Sequence, residues 1–213
     1  MLNPRKIDFR IAVINKKQSA EGALQAIDRN IGSKQQKYCG SDERALSPVR
    51  FTTMDELKAA FDVESLDVIP YKDNEYLSHR YFEHPRFTYE VWGLPWKDGK
   101  IGALLVTRVV EAAGAKVLRI VDYIGDETLI SGTNDFFTDR LLEDDLEYVD
   151  FYEYGLTRDY ILQAGFSDRY ESENIIPQYF DPFEQRNVDM WSFYCTEGTR
   201  IFKADGDQDR PNT

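Results

Sequence analysis

Hydrophobic and polar positions alternate in short runs along most of this chain, with helical spacing confined to a few stretches between them. Phe9, Ile11 and Val13 alternate with polar or small neighbours and predict a short strand. Ser19 stands as an N-cap ahead of Ala20–Ile31, where Leu24, Ile27 and Ile31 share one helical face and Gly32 supplies the stop. Residues 33–47 are polar and aperiodic, a loop or linker that divides residues 1–47 from a domain over 48–213. After Pro48, Val49–Thr52 predicts a strand, and Thr53 caps a helix from Met54 with Glu56 in its first turn. A second helix is expected over Asn74–Phe82, ending before Pro85. Strands Phe87–Leu94 and Ile101–Glu111 flank an Asp98-Gly99 turn. Lys116–Ile124 is apolar on both faces and belongs at a sheet centre. Gly125 ends it, and one helix is expected from Glu127 to Leu142. Strand Tyr148–Tyr152, helix Thr157–Ala164 closed by Gly165, and strands Val188–Cys195 and Arg200–Lys203 complete the order.

Composition supports a packed core, with 42% hydrophobic and 30% charged residues in 213, enough for one domain with or without an appended piece. The 13 Tyr, 13 Phe and 3 Trp favour a sheet, because aromatic side chains suit pleated, half-buried surfaces. A net charge of −12 disfavours nucleic acid and anionic membrane surfaces as partners and is compatible with a cationic or amine-bearing small molecule. Cys39 and Cys195 lie far apart without metal spacing and read as free thiols in a reducing cytoplasm rather than as a disulfide. No signal-peptide pattern and no bilayer-length apolar run is present, so a cytoplasmic protein is expected.

The order of elements after Pro48 resembles the GNAT (acetyl-coenzyme A N-acetyltransferase) fold. That fold is α/β (α+β), a mixed, mostly antiparallel central sheet flanked by helices. The stretch Val49-Arg50-Phe51-Thr52-Thr53-Met54-Asp55-Glu56-Leu57 looks like the family's opening strand and first helix, and Ala164-Gly165-Phe166 is similar to the Gly-Phe that closes its penultimate helix. The segments 76–81, 119–125, 176–183 and 205–212 resemble GNAT-like proteins of bacterial surface-polysaccharide loci, in which a second GNAT-like half often comes first. Residues 1–47 are then an extension or the remnant of such a half. The resemblance implies an N-acyltransferase moving an acyl group from acetyl-CoA or another acyl-CoA to an amine, such as an amino sugar, with no metal. The alternatives are a non-catalytic GNAT-like module that binds a sugar nucleotide or a partner protein, and one half of a tandem enzyme. A homodimer is compatible with either.

In that family the coenzyme pyrophosphate sits at a strand–helix junction, on unpaired backbone N–H groups at a helix N-terminus. The counterpart here is Tyr123, Ile124, Gly125, Asp126, Glu127 and Thr128. The family's Gln/Arg-x-x-Gly-x-Gly/Ala signature is absent, and Asp126 and Glu127 repel a pyrophosphate unless they point outward, although they stabilise a helix start. Asp122, ionisable at the end of an apolar strand, is the candidate general base; its alternative role is a salt bridge with Arg108 or Arg119. A regular strand puts Arg119 and Asp122 on opposite faces, which leaves Arg108. The family's leaving-group tyrosine falls at Ile161. Tyr160 is one residue and about 100° away on a helix, and Tyr152 and Tyr154 are the other candidates. Asp150 and Glu153, with Tyr152, end a strand that is expected to splay and suit a cationic amine, or else are a solvated strand end. Arg80 is a further candidate contact for substrate.

Asp205-Gly206-Asp207-Gln208-Asp209 begins like a calcium loop but has Arg210 where the sixth-position glycine belongs, so it reads as a loop that packs by local Asp turns or contacts substrate. His79 and His84 are five apart and diverge on a helix, against a zinc pair.

Overall fold

The computed structural model describes residues 3–12, 46–112, 115–168 and 190–206. The helix over Ala20–Ile31, the linker over 33–45, Cys39, and most of the segments 176–183 and 205–212 lie outside them. The elements in chain order are strand β1 (Asn3–Ala12), strand β2 (Val49–Phe51) and helix α1 (Met54–Ala60), then helix α2 (Asn74–Leu77) running into a π-helical turn (Ser78–Phe82). Strands β3 (Glu90–Pro95), β4 (Ile101–Ala112) and β5 (Ala115–Gly125) follow. A 3-10 helix (Glu127–Gly132), α3 (Asn134–Glu143), β6 (Val149–Tyr154), α4 (Arg158–Gln163) and β7 (Ser167–Asp168) come next. Strands β8 (Met190–Tyr194) and β9 (Ile201–Phe202), then a 3-10 turn (Lys203–Asp205), end the described chain.

The sheet is mixed, mostly antiparallel and flanked by helices, as the sequence order implied. Its strands run β2-β3-β4-β5-β6-β1-β7, with β8 paired to β1 and β9 to β6. Thr53 builds the start of α1 as a capping box: its hydroxyl accepts from the Glu56 N–H, and the Glu56 carboxylate accepts from the Thr53 N–H. Asp73 caps α2 through the Tyr76 N–H. The Asp98-Gly99 turn joins β3 to β4, with Gly99 at φ 85°.

Two apolar clusters cover the two faces. Leu118, Ile120 and Tyr123 of β5 pack with Ile130, Phe137, Leu141 and Ile161 on one side. Val121 and Ile124 pack with Leu57, Leu77 and Tyr81 on the other. The single helix expected over Glu127–Leu142 is two pieces instead. Gly132 is a weak helix former, and the Thr133 hydroxyl bonds back to the Ile130 carbonyl at 2.6 Å, competing with the backbone at the break. The expected helix over Asn74–Phe82 widens for its last five residues, where the Glu83 N–H reaches the Ser78 carbonyl at 2.9 Å.

Strand β5 is central, as its two apolar faces predicted, but it is not regular. Val106 of β4 pairs with Asp122 while Thr107 pairs with Ile120, so Val121 is a bulge residue. The extra residue turns Asp122 toward the same side as Val121, under α2 and the π turn. The parallel pairing of β5 with β6 covers Leu118–Ile120 against Val149–Phe151. Beyond it both strands continue, β5 to Gly125 and β6 to Tyr154, and β6 takes β9 as its partner at Glu153 and Tyr154. The sheet therefore splays at the C-terminal ends of these two strands.

Gly125 is at φ 113°, and a Cβ there would stand 2.5 Å from the Gly102 carbonyl oxygen and 2.9 Å from Ala103 Cα. Gly125→Ala is expected to destabilise the protein by about 1–3 kcal/mol, combining left-handed strain with a backbone clash. Urea unfolding measures this; a change within about 0.5 kcal/mol, ordinary for a surface substitution, would contradict the geometry.

Candidate functional site

The splay between β5 and β6 is where a ligand cleft is expected, and this chain's own C-terminal segment threads it. Thr199 bridges to Ile69, and the Arg200 N–H donates to the Ile69 carbonyl at 2.7 Å. Phe202 then pairs with Glu153 and enters the cluster on the α3–α4 side, stacked on Phe151 with centroids 5.9 Å apart and planes 5° from parallel. Two residues on, Ala204 packs in the cluster on the α1–α2 side. The segment thus joins both cores through the gap. A pocket of about 10 Å³ remains beside it, lined by Ile69, Lys72, Tyr123, Ile124, Arg200 and Phe202 among others. That is about the space one water needs.

Asp122 lies beneath this segment, fully buried. Its Oδ1 accepts from Lys72 Nζ at 2.6 Å and from the Tyr123 N–H at 2.8 Å, and its Oδ2 accepts from the Tyr81 hydroxyl at 2.5 Å. Lys72 Nζ also pairs with Asp205 Oδ1 at 2.9 Å, while Asp205 Oδ2 accepts from the Phe202 N–H at 2.8 Å. The ammonium lies over the Phe202 ring, 5.3 Å from its centroid. Burial alone would lower the Lys72 pKa, but the Asp122 and Asp205 carboxylates outweigh it and the pKa is raised. Asp205 is pushed up by burial and then by Asp122, with Lys72 opposing. Burial and Asp122 also raise Tyr81 well above the ordinary phenol. Lys72 therefore stays a cation and Tyr81 a neutral donor at neutral pH. The partner of Asp122 is Lys72, not Arg108, because the bulge and the π turn converge on the Val68–Lys72 loop. Arg108 instead lies 3.8 Å over the Phe87 ring.

The predicted phosphate junction is satisfied internally. Asp126 Oδ1 accepts from the Thr128 N–H at 2.9 Å and its hydroxyl at 2.8 Å, and Asp126 Oδ2 accepts from Trp96 Nε1 at 3.0 Å. Burial raises the Asp126 pKa, but the Thr128 and Trp96 donors overcome it and the carboxyl is held below its ordinary value. Glu127 accepts from the Thr157 N–H at 2.7 Å and faces Arg200 at 3.6 Å. Arg200 also donates to the Gly125 carbonyl at 3.0 Å. The Tyr123 hydroxyl donates to the Asp126 carbonyl, and Ile124 is in the apolar cluster. An anion at this turn would have to displace a carboxylate already in place.

The other candidates lie apart. Asp150 is fully buried and held by Arg119 through Nε at 3.0 Å and a terminal nitrogen at 2.6 Å, a side-on fork between laterally paired residues of β5 and β6. Glu153 is buried and accepts from the Leu156 N–H at 3.3 Å. Tyr152 is buried beneath the Lys203 ammonium, 4.1 Å from its ring centroid. Tyr160 packs against the α3–α4 cluster, on the face opposite Asp122. Tyr154 contacts Tyr194, their hydroxyls 2.8 Å apart. Arg80 donates to the Tyr89 hydroxyl at 2.6 Å. Lys72, Tyr81 and Phe202, which complete the centre around Asp122 with Asp205, carried no site role in the sequence reading, and Asp205 entered it only as the start of an Asp-rich loop. The one signal was a lone lysine in the apolar run Val68-Ile69-Pro70-Tyr71-Lys72. Cys195 is a free, exposed thiol. Among the described residues there is no cluster of three metal-ligating side chains, and no helix is long and apolar enough to cross a membrane.

No protein-family model matches the chain, and no curated protein matches it in sequence. Solved structures that resemble it include Saccharomyces cerevisiae N-myristoyltransferase with bound myristoyl-CoA and inhibitors, at 7% identity and a TM-score of 0.37, covering 78% of this chain and 49% of that one. The same enzyme with bound myristoyl-CoA is similar at 7% identity and a TM-score of 0.33, covering 70% of this chain and 44% of that one. The chain spans about half the length of these structures.

Burial and the neighbouring Asp122 together hold the Asp205 carboxyl above its ordinary pKa. A carboxyl whose folded pKa lies above its unfolded value binds its proton more tightly when folded, so its contribution to stability is greatest in acid and is lost as pH rises through the folded pKa. Unfolding free energies of wild type and Asp205→Asn, measured from pH 4 to 7, are expected to diverge. The wild type should lose stability relative to the variant as pH rises. Parallel curves, or the opposite slope, would contradict this assignment.

Proposed function

We propose that this chain is a GNAT-like domain whose acyl-thioester cleft is occupied by its own C-terminal segment, so that in this closed form it is a non-catalytic module. The observation that carries the reading is Phe202 and Ala204 anchored in opposite cores through the gap between β5 and β6. The GNAT-like part rests on the order β2-α1-α2-β3-β4-β5-α3-β6-α4 together with a parallel β5–β6 pair that splays. Three further features support closure. Asp126 already accepts from the Thr128 N–H and hydroxyl at the turn where a pyrophosphate would bind, Asp122 is committed to Lys72 and Tyr81, and Asp150 and Glu153 are buried rather than open to an amine.

Acyl transfer from acyl-CoA to an amine, with Asp122 as base, is the competing reading. A general base must reach the proton it removes, and Asp122 is walled off by Lys72, Tyr81 and the Tyr123 N–H. Isothermal titration of the native chain with acetyl-CoA separates the two. The closed module gives no binding at millimolar ligand, weaker than about −4 kcal/mol. Micromolar binding accompanied by acetylation of an amine acceptor would overturn the reading.

A further inference from the structure

We infer that residues Arg200–Asp205 form a reversible strap, an autoinhibitory contact that opens without global unfolding and uncovers the β5–β6 cleft. The inference rests on the closed-domain reading above and adds a moving part to it. Its physical basis is how the segment is attached. Strand β9 contributes two paired residues to the sheet, Phe202 opposite Glu153 and Ile201 opposite Tyr154. Such a short pairing holds weakly on its own. The segment is secured instead by its side chains, with Ala204 seated in the α1–α2 cluster and the Lys203 ammonium over the Tyr152 ring. Phe202 is stacked on Phe151, Arg200 is fixed to Gly125 and Glu127, and Asp205 is fixed to Lys72.

These anchors differ in what they leave behind on release. Lys72 retains Asp122 at 2.6 Å when Asp205 departs, so the central cation is never left unpaired. Asp205 carries a charge that its surroundings resist, crowded by Asp122 on β5 and drawn by Lys72 of the Val68–Lys72 loop, with Tyr76 of α2 close to the same ammonium. One cation between two carboxylates is a contact that strand β5 keeps whole when the strap leaves. Release also frees backbone groups of Glu153 and Tyr154 on the β6 edge and the apolar wall at Phe151.

Two measurements test the strap. Hydrogen exchange on the native chain should show the amides of Arg200 and Phe202 exchanging at least ~100-fold faster than Leu104, Leu105 and Val106 in β4, the signature of local opening. Equal protection of the two groups would make the segment an integral part of the core and overturn the inference. In the second, Phe202→Ala combined with Asp205→Ala loosens two anchors in the full chain, and acetyl-CoA is the probe. Binding at least ~10-fold tighter than wild type, with β4 protection retained, is the expected result, since the closed fraction lowers apparent affinity in proportion. A variant with β4 protected and no gain in binding would overturn the inference while leaving the closed-domain reading intact. Wild type that binds tightly and turns over would overturn that reading instead. If the variant loses β4 protection, the exchange result on the native chain decides.

Discussion

One buried ammonium organises this molecule: Lys72 sits between Asp122 on the central strand and Asp205 on the C-terminal segment. Burying an ion of either sign costs several kcal/mol after relaxation, and only close, well-formed pairing returns it. That requirement constrains everything around it. The Val68–Lys72 loop must deliver the cation, the bulge at Val121 must turn Asp122 toward it, and the π turn must bring Tyr81 within reach of the second carboxylate oxygen. The C-terminal segment must then return to the splayed end of the sheet to supply Asp205.

Closure of the cleft follows from the same constraint. Phe202, one of the apolar residues that joins the two faces, lies under the Lys72 ammonium and beside Phe151. Fully burying a phenylalanine contributes about 1.5–3 kcal/mol, whereas a buried ion pair returns little net of its desolvation. Phe202 therefore supplies more of the net hold on the segment than the Lys72–Asp205 pair does. The turn after β5 likewise carries its own anion, because the Asp126 carboxylate accepts from the Thr128 N–H at the start of the 3-10 helix.

Local patterns disclosed much of this architecture and little of the site. Capping by Thr53, the Asp98-Gly99 turn, the doubly apolar β5 and the stop at Gly125 are all short-range signals, and each element stands where its own residues placed it. The site depends on contacts 41 and 50 residues apart, from Tyr81 and Lys72 to Asp122, and on one bulge that reverses the facing of every later residue on the strand. A regular period of two pointed to Arg108 as the partner of Asp122, and the period is broken there. Asp205 looked like part of a local Asp-rich loop because sequence shows neighbours along the chain and not across it. Tyr160, chosen for its closeness to a family position, faces the other core.

Lys72 neutralises buried carboxylates rather than serving as one more packed side chain. A double-mutant cycle on Lys72→Met and Asp122→Asn, read by urea unfolding at pH 7, tests it most directly. Lys72→Met alone should cost about 3–5 kcal/mol, because it strands a buried charge, and adding Asp122→Asn should recover at least half of that loss. A Lys72→Met protein within about 1 kcal/mol of wild type, or a double variant whose losses simply add, would contradict the account.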